Sequence, residues 1–439
     1  MDDQDFEAHL LDALKPWLPS GRVWIAFSGG LDSTVLLHAM VALAARQRLP
    51  EVRAIHVHHG LQAVADAWVE HCQTVCLALG VELCVRRVRV DPGSSLERAA
   101  REARYGAFQA LLGPGELLLQ AQHQDDQAET ILYRLLRGAG VRGLAAMPAS
   151  RPLAAGRLVR PLLGVPRAVL QAYAERHGLN WVEDPSNTDT RLARNFLRQE
   201  ILPRLRRHWP QAPAVLARAA AQQAEAQVLL QELAELDLQS CRMGPPLDWL
   251  DFPCLDLDAL RQLSSARQRN LLRHWLADFG RLPDSRHWRG WEALRDAAVD
   301  ASPRWRLDGG ELRRHGRRLV WLESLWCAAW AGQEQPWAAL QKPLPLPANG
   351  TVWFEGAAPA GRLSIAYRQG GEILDRPGRG RRDLKRLLQE AGIPEFIRPR
   401  LPLLLREGQV IAIANVLDCA GHGKLRWRPP CTHSPGQTG

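Results

Sequence analysis

The segment with the clearest chemical character is Ser28-Gly29-Gly30-Leu31-Asp32-Ser33, which lies between an apolar run and a helical pattern. Glycines let a backbone approach an anion closely, and N–H groups at a helix N-terminus favour negative charge. The segment lacks the Gly-Lys-Ser/Thr ending of a Walker loop. Because Asp32 would repel phosphates unless a magnesium ion bridged them, the segment predicts a nucleotide site with Mg2+. An ordinary turn capped by serine and aspartate is the alternative.

Polar residues also follow two other predicted strands. His58-His59 ends the apolar run that begins at Val52, and His123 to Asp126 follows the run Glu116 to Gln120. In parallel sheets, ligands sit beyond the carboxyl ends of the strands, so these segments are expected to converge on the Ser28 loop. Asp126 and Glu129 also have the spacing of a helix-capping pair, which is the structural alternative to a role with metal or substrate.

The elements that must position these residues alternate along the first 140 residues. Short apolar runs such as Val23 to Phe27 predict buried strands, and the stretches between them show helical periodicity. This alternation predicts an α/β fold with a doubly wound parallel sheet. A stretch rich in alanine and glutamine from Ala214 to Leu238 predicts the start of a helical domain. We interpret the tryptophans that follow as core residues rather than base-stacking groups.

We therefore predict three domains, at residues 1–212, 213–335 and 342–430. The proline-rich segment Lys342 to Pro347 marks the second boundary. In the last domain, strand-like runs at Leu363 to Tyr367 and Val410 to Ala414 flank a helix from Asp383 to Gly392, which predicts a small α/β domain.

The composition favours a globular protein with a polyanionic partner. The 439 residues are 46% hydrophobic and carry a net charge of +9, which suits RNA binding, although a basic proteome would give the same balance. The eight cysteines include no Cys-x-x-Cys pair, so we expect free thiols and no zinc or iron–sulfur site. The acidic N-terminus is unlike a signal peptide and no apolar run is long enough to span a membrane, which predicts a cytoplasmic protein.

The Ser28 to Ser33 loop resembles the PP-loop of ATP pyrophosphatases, of the adenine nucleotide α-hydrolase-like type, which cleave ATP between the α- and β-phosphates and transfer AMP to an oxygen. Further segments resemble tRNA(Ile)-lysidine synthases. Those segments are Ala54 to Leu61, Ser95 to Tyr105, His123 to Thr130, Arg137 to Gly140, Arg160 to Leu163, Glu183 to Asn187, Arg194 to Pro203, Leu387 to Pro394 and Arg400 to Leu403. The similarity is weak across the middle of the chain.

The resemblance implies that ATP drives the attachment of free L-lysine to C2 of the wobble cytidine of the isoleucine tRNA with a CAU anticodon. The cytidine would first be adenylated with release of pyrophosphate, and lysine would then displace AMP. Mg2+ would be held by Asp32 and Asp126. An acidic pocket for the lysine amine could come from Glu129 or Glu183, and a homodimer would be in keeping with the family.

The same resemblance assigns roles to individual residues. The expected catalytic residues are Asp32, Arg104, Asp126 and Glu129. The expected ATP-binding residues are Ser28, Gly29, Gly30, Leu31, Asp32, Ser33, His58 and His123. The residues expected to bind the second substrate or the tRNA are Arg194, Asn195, Arg198, Arg379, Arg381, Arg382 and Lys385. Arg101 shares a helix face with Arg104, so both could contact phosphates of ATP or tRNA or form a solvated face.

The last four residues of the tRNA set belong to a basic run from Arg376 to Arg386, which holds six positive charges and one negative. Such a run suits contact with phosphates, and a solvated charge run is the alternative. One departure from the family is Gln122, which stands where the first of two adjacent histidines is usual. The role of that histidine therefore does not carry over.

Two other functions are compatible with parts of the sequence. A PP-loop tRNA thiolase would commonly use a Cys-x-x-Cys pair or a catalytic cysteine near the active domain, and no Cys-x-x-Cys pair is present in this chain. A non-catalytic RNA-binding protein could retain an inactive nucleotide fold. The complete Ser28 to Ser33 loop and the Asp125-Asp126 pair argue against that second alternative.

Overall fold

The computed structural model describes residues 1–47, 49–60, 65–90, 96–280, 287–298, 301–328, 330–376 and 380–430. Within them the chain forms two compact units, the first from Met1 to Leu229 and the second from Leu230 onward. The finer division into three domains at residues 212 and 335 stays a prediction.

The first unit alternates strands and helices as the sequence predicted. Its strands are β1 (Val23–Ala26), β2 (Val52–His58), β3 (Leu83–Arg87), β4 (Leu117–Leu119), β5 (Ser150–Leu153) and β6 (Gly156–Val159). Its helices are α1 (Asp3–Leu14), α2 (Leu31–Arg46), α3 (Ala65–Ala78), α4 (Leu96–Leu111), α5 (Gln124–Leu136), α6 (Val141–Leu144), α7 (Arg167–Arg176), α8 (Ala193–Phe196) and α9 (Leu202–His208). A π-helical turn, Leu197–Ile201, joins α8 to α9, and α10 (Ala212–Cys241) follows.

The six strands form one sheet in the order β3-β2-β1-β4-β6-β5. All neighbouring pairs are parallel except β5 with β6, which is antiparallel. The central strands β1 and β4 are buried on both faces because helices cover both, as expected of a parallel sheet, whereas the edge strands β3 and β5 are partly exposed. Val23 and Ile25 pack with α1, α2 and α7 on one face, while Trp24 packs with Phe108 and Leu112 on the other. The predicted doubly wound parallel sheet is confirmed, with one antiparallel edge strand.

The second unit contains helices and several small antiparallel sheets. Its remaining helices are α11 (Leu257–Gln262), α12 (Ser265–Leu276), α13 (Trp288–Asp296), α14 (Ser324–Cys327) and α15 (Leu384–Glu390). Its strands are β7 (Cys254–Asp256), β8 (Arg304–Leu307), β9 (Gly310–His315), β10 (Arg318–Glu323), β11 (Gln335–Pro336), β12 (Leu344–Pro345), β13 (Thr351–Gly356), β14 (Leu363–Ala366), β15 (Ile373–Arg376), β16 (Gly380–Asp383), β17 (Leu403–Arg406), β18 (Gln409–Ile413) and β19 (Gly423–Arg428).

The middle region differs from the sequence prediction in one respect. Alongside α11, α12 and α13, it holds a four-stranded antiparallel sheet in the order β7-β10-β9-β8. The sequence did not predict this sheet, because its strands are only three to six residues long and most of them show no clear period-two pattern. The interpretation of the tryptophans is confirmed, since Trp275, Trp291 and Trp321 are buried in this region's core. In the last region, β14, β18 and α15 match the predicted strands and helix.

Candidate active site

The Ser28–Ser33 loop follows β1 and leads into α2, and its shape depends on Gly29. Gly29 has a φ of +83°, a conformation that residues with a side chain rarely adopt. A Cβ atom at this position would also lie 3.0 Å from Cys72 Sγ and 3.2 Å from Val182 Cγ2. Backbone conformation and space therefore both require glycine here.

Hydroxyl groups tie the loop to the first turn of α2. Ser33 Oγ and Thr34 Oγ1 each donate to the carbonyl oxygen of Gly30 at 3.0 Å. The backbone N–H of Ser28 donates to Ser33 Oγ at 3.2 Å, and Leu31, the first residue of α2, is buried in the core. The leading N–H groups of a helix have no carbonyl partner within it, so this rigid loop can present them to an anion.

Three predicted residues meet at the loop: Asp32 of α2, His123 just before α5, and Asp126 of α5. The imidazole of His123 lies between two carboxylates, with Nε2 3.5 Å from Asp32 Oδ2 and 3.6 Å from Asp126 Oδ2. His123 is buried, and the backbone N–H of His123 donates to Asp126 Oδ2 at 3.1 Å. Asp126 therefore caps α5 from its third position, with His123 as the capping residue, while also contacting the ring of His123. The structural alternative, in which Asp126 starts the helix and Glu129 completes the cap, differs from this arrangement.

The second oxygen of Asp126 and both oxygens of Glu129 are bound by arginines. Arg198 Nε donates to Glu129 Oε1 at 2.6 Å, and Arg198 Nη2 donates to Asp126 Oδ1 at 2.9 Å. Arg194 Nε donates to Glu129 Oε2 at 3.0 Å. The side chain of Glu129 is only 1% exposed. The structure therefore brings together six of the predicted residues, and it pairs Arg194 and Arg198 with carboxylates of the protein itself.

This cluster sets the protonation of two of its members. Burial alone would lower the pKa of His123, but its contact with Asp32 and the charge of Asp126 outweigh burial and raise that pKa. Burial would likewise lower the pKa of Arg198, and its hydrogen bond and ion pair with Glu129 raise it instead. The cationic forms of both side chains are thus favoured between the carboxylates.

Three residues of the site were not assigned a role from the sequence. Arg167 opens α7 and places Nε 3.9 Å from Asp32 Oδ1. Asp125, considered only as part of an intact aspartate pair, accepts from the backbone N–H of Arg167 at 2.9 Å and forms an ion pair with Arg206. Asp125 thus holds α7 against α5. Nothing local marks Arg167 or Arg206, because their partners are about 40 to 135 positions away and only the fold unites them.

The predicted residues of β2 and α4 lie near one another. His58 is buried, with Nε2 3.4 Å from Asp66 Oδ1. Burial, with the charge of Arg104 next in size, lowers the pKa of His59 to about 4, so this imidazole is neutral. The Nε atom of Arg104 is buried and has no hydrogen-bond partner among the described residues. An unsatisfied guanidinium at a ligand-facing edge is compatible with the predicted catalytic role.

Asn195 has a different environment from the one expected of a substrate-binding residue. Its side chain is buried, and Nδ2 donates to the carbonyl oxygens of Ser186 and Asp189 at 2.9 and 3.0 Å. The same segment of chain begins where the N–H of Val182 donates to Gly29 O at 2.9 Å. The geometry thus gives Asn195 a positioning role, joining the turn behind the loop to the arginines of α8.

The residues expected to bind Mg2+ differ in availability. Asp32 Oδ1 is buried and has no hydrogen-bond partner among the described residues, so it could serve as a ligand. Both oxygens of Asp126 already accept hydrogen bonds. Within the described ranges, no group of three or more His, Cys, Asp or Glu side chains could hold a metal ion. Of the two predicted ligands, Asp32 thus has the free carboxylate oxygen that a magnesium ion would need, and the remaining ligands would have to come from phosphates and water.

The predicted basic surface lies in the second unit. Arg381 and Arg382 on β16 and Lys385 on α15 are exposed. Arg382 Nη1 donates to Glu390 Oε2 at 3.4 Å, so part of its charge is balanced. Arg379, predicted with them, lies outside the described residues.

Comparison with known proteins decides the family. Three family models match the chain: a PP-loop domain over residues 2–205, a TilS substrate-binding domain over 255–320 and a TilS substrate C-terminal domain over 363–427. A tRNA(Ile)-lysidine synthase of Pseudomonas aeruginosa is 60% identical over 437 residues, which cover 98% of each chain. The chain belongs to the tRNA(Ile)-lysidine synthase family.

Other lysidine synthases support the same assignment. Those of Pseudomonas syringae pv. tomato and Salmonella typhimurium are 56% and 44% identical, and the alignments cover 97% and 91% of this chain and 95% and 93% of theirs. Among solved structures, the U34-tRNA thiolase NcsA from Methanococcus maripaludis is 17% identical with a TM-score of 0.43, covering 51% of this chain and 79% of its own. That likeness is too low to support a functional conclusion. Among the described residues of the present chain, no helix is long and apolar enough to cross a membrane.

Proposed function

We propose that this chain uses ATP to join L-lysine to C2 of the wobble cytidine of the CAU-anticodon isoleucine tRNA. Formation of lysidine on tRNA(Ile), and with it the creation of a carbon–nitrogen bond, follows from membership of the family. The observation that carries the residue-level proposal is the contact of His123 with Asp32 and Asp126 beside the Ser28–Ser33 loop.

In the first step, the O2 atom of the cytidine attacks the α-phosphorus of ATP, and pyrophosphate leaves with the electron pair of the broken P–O bond. The Ser28–Ser33 loop supports this step as a binding site for the pyrophosphate, because hydrogen bonds within the loop fix its shape and the leading N–H groups of α2 have no carbonyl partner in the helix. Mg2+, bound through Asp32, would offset the charge gathered at the phosphorus. Arg104, with its unsatisfied Nε atom, would stabilise the same charge.

In the second step, the ε-amine of lysine attacks C2, and AMP leaves with the oxygen. The lysine ammonium group must lose a proton for this attack, and that proton passes to solvent water. Two carboxylates were expected to attract the lysine amine. Both oxygens of one of them, Glu129, already accept hydrogen bonds from Arg194 and Arg198. Glu183 is exposed and adjoins Val182, which contacts the loop, so we assign it the contact with the lysine ammonium group.

Asp126 and Glu129 then act on the substrates indirectly. Their oxygens hold His123, Arg194 and Arg198 in place, and these cationic groups would border the site of adenylyl transfer. We therefore assign both carboxylates to positioning, and Asn195 supports them through the turn that it holds. A homodimer and a cytoplasmic location stay predictions.

The thiolase alternative is not favoured. Cys72 is the cysteine beside the loop, with Sγ 3.0 Å from the position of a Cβ on Gly29. Burial raises the pKa of this thiol to about 12, so it is a poor source of the thiolate that sulfur transfer needs.

A single assay tests the proposed function. Purified protein is incubated with ATP, Mg2+, labelled lysine and the CAU-anticodon isoleucine tRNA, and label in the RNA is measured. We expect incorporation that requires ATP and is absent from a tRNA whose wobble base is uridine. AMP formation without lysine in the RNA would refute lysidine synthesis while leaving the PP-loop chemistry intact.

A further inference from the structure

A group of basic side chains around Tyr105, which we name the Tyr105 cluster, comprises Arg101, Tyr105, Arg151 and Arg160. The guanidinium carbons of Arg101 and Arg151 both lie 4.9 Å from the centre of the Tyr105 ring. Arg101 Nη2 also donates to the Tyr105 hydroxyl at 3.4 Å, and that hydroxyl donates to Gln120 Oε1 at 3.2 Å. The ring thus aligns two guanidinium groups through cation–π contacts.

Alignment by an aromatic ring leaves the charges of these arginines uncompensated. A carboxylate would neutralise a guanidinium and occupy its N–H groups, whereas a ring face occupies neither. In the described part of the chain, no carboxylate forms an ion pair with Arg101, Arg151 or Arg160. Burial would raise the pKa of Tyr105, yet the nearby arginines lower it, which agrees with a locally positive environment.

Arg160 connects this cluster to the active site. It is buried, and its Nε donates to Gln122 Oε1 at 3.0 Å while Nη2 donates to Gln120 Oε1 at 3.4 Å. Gln122 directly precedes His123. The glutamine at this unusual position is therefore an acceptor that joins the arginines to the segment carrying His123.

The Tyr105 cluster lies apart from the Ser28–Ser33 loop, which we propose binds the pyrophosphate. Arg151 lies on β5 opposite Leu158 of β6, next to the pair Ser150 and Val159 at the carboxyl end of β6. In the sheet order, β5 is three strands from β1, or about 14 Å at the usual strand spacing. The cluster thus faces the same edge as the Ser28–Ser33 loop, at a distance that suits a second anionic ligand.

We propose that Arg101 and Arg151 of the Tyr105 cluster bind a phosphodiester group of the tRNA strand next to the reacting cytidine. The inference rests on the proposed function, which places that cytidine beside His123. Two aligned, uncompensated guanidinium groups match the bidentate geometry of phosphate. This contact would hold the RNA strand by its backbone, while the base itself reaches the loop.

The test compares Arg101→Gln/Arg151→Gln with a matched variant, Lys15→Gln/Arg46→Gln. The control loses the same charge from exposed residues after α1 and at the far end of α2. Filter binding gives the Kd for tRNA over a series of salt concentrations without ATP, and equilibrium dialysis gives the Kd for labelled ATP. Lysine incorporation by the unmodified chain checks the proposed function separately.

We expect the test variant to bind tRNA about tenfold more weakly, with a salt dependence shallower by roughly one for each arginine. Its ATP affinity should not change. Weaker ATP binding with unchanged tRNA binding would overturn the proposal in favour of a nucleotide site, and no change in either would overturn it outright.

If the double variant fails to fold, the tRNA affinity of the single variant Arg151→Lys tests the proposal instead. This variant keeps the positive charge but loses the paired N–H donors of the guanidinium group. A tRNA affinity that is about threefold weaker would therefore support the proposal. Binding equal to that of the unmodified chain contradicts it. If the unmodified chain incorporated no lysine while tRNA binding still depended on Arg101 and Arg151, the proposed function would fail and the RNA contact would stand.

Discussion

At the carboxyl ends of the parallel strands in the first unit, charged side chains are paired on one side and unpaired on the other. Beside β4, the carboxylates of Asp126 and Glu129 are matched by two arginines. Beside β5 and β6, arginines are aligned on the ring of Tyr105, and no described carboxylate pairs with them. The first side is a balanced network, and the second presents free positive charge.

The difference shows how one edge can serve two anionic substrates. A network in which every buried charge has a partner is rigid, and breaking one pair leaves another charge unsatisfied. It suits the precise placement of reacting groups. Uncompensated arginines at the rim attract a polyanion and tolerate movement of the strand they bind. The predictions below test this contrast, beginning with the largest expected effect.

On the balanced side, the largest effect should come from Asp32, which lies near His123 and Arg167 but whose Oδ1 accepts no hydrogen bond. Asp32→Asn removes the charge at Oδ1, which has no hydrogen-bond partner, so Mg2+ would lose its protein ligand. We expect lysidine formation to fall about 1000-fold, or roughly 4 kcal/mol in the activation free energy, with tRNA affinity unchanged. Single-turnover kinetics and filter binding measure the two quantities. Activity close to that of the unmodified chain would remove Asp32 from the metal site.

Breaking the balanced network should reduce stability. Glu129→Gln leaves Arg194 and Arg198 without their main partner, although both arginines are 39% exposed and partly screened. We expect the free energy of unfolding to fall by about 2 kcal/mol, less than for a fully buried pair. Urea denaturation followed by tryptophan fluorescence measures it. Glu200→Gln, which removes a partner of the exposed Arg204, serves as control and should change stability by under about 0.5 kcal/mol.

The same network should make stability depend on pH. The pKa of His123 is raised in the folded protein, so protonated His123 contributes stability that is complete below its unfolded pKa of about 6.5. That contribution should be lost as pH rises through the higher folded value. We expect the Tm to decline over this range above about pH 6.5, and His123→Gln to flatten the decline. An equal decline in both proteins would assign it to other groups.

The smallest effect is expected from the basic surface of the second unit, where the charges are exposed. Arg381→Ala/Lys385→Ala should weaken tRNA binding about threefold and make its salt dependence shallower. Arg382→Ala should change it less, because Arg382 already contacts Glu390. Filter binding at several salt concentrations measures both. If both variants lost the same amount of tRNA affinity, the contact with Glu390 would not keep Arg382 from binding the RNA.

Much of the fold could be predicted from periodicity. The alternation of strands and helices in the first unit, the helix after the Ser28 loop and the buried tryptophans all follow from local pattern. The antiparallel strands β7 to β10 could not, because their pairing partners are not marked by a period-two pattern.

The candidate site divides in the same way. The sequence by itself determined the loop, since Gly29 and the hydroxyls of Ser33 and Thr34 act on their immediate neighbours. Only the tertiary structure decided the partners of charged groups. It placed Arg198 on Glu129, 69 positions away, and Arg167 near Asp32. Charge pairing depends on distance in space, and that distance is set by the packing of α2, α5, α7 and α8 rather than by any local pattern.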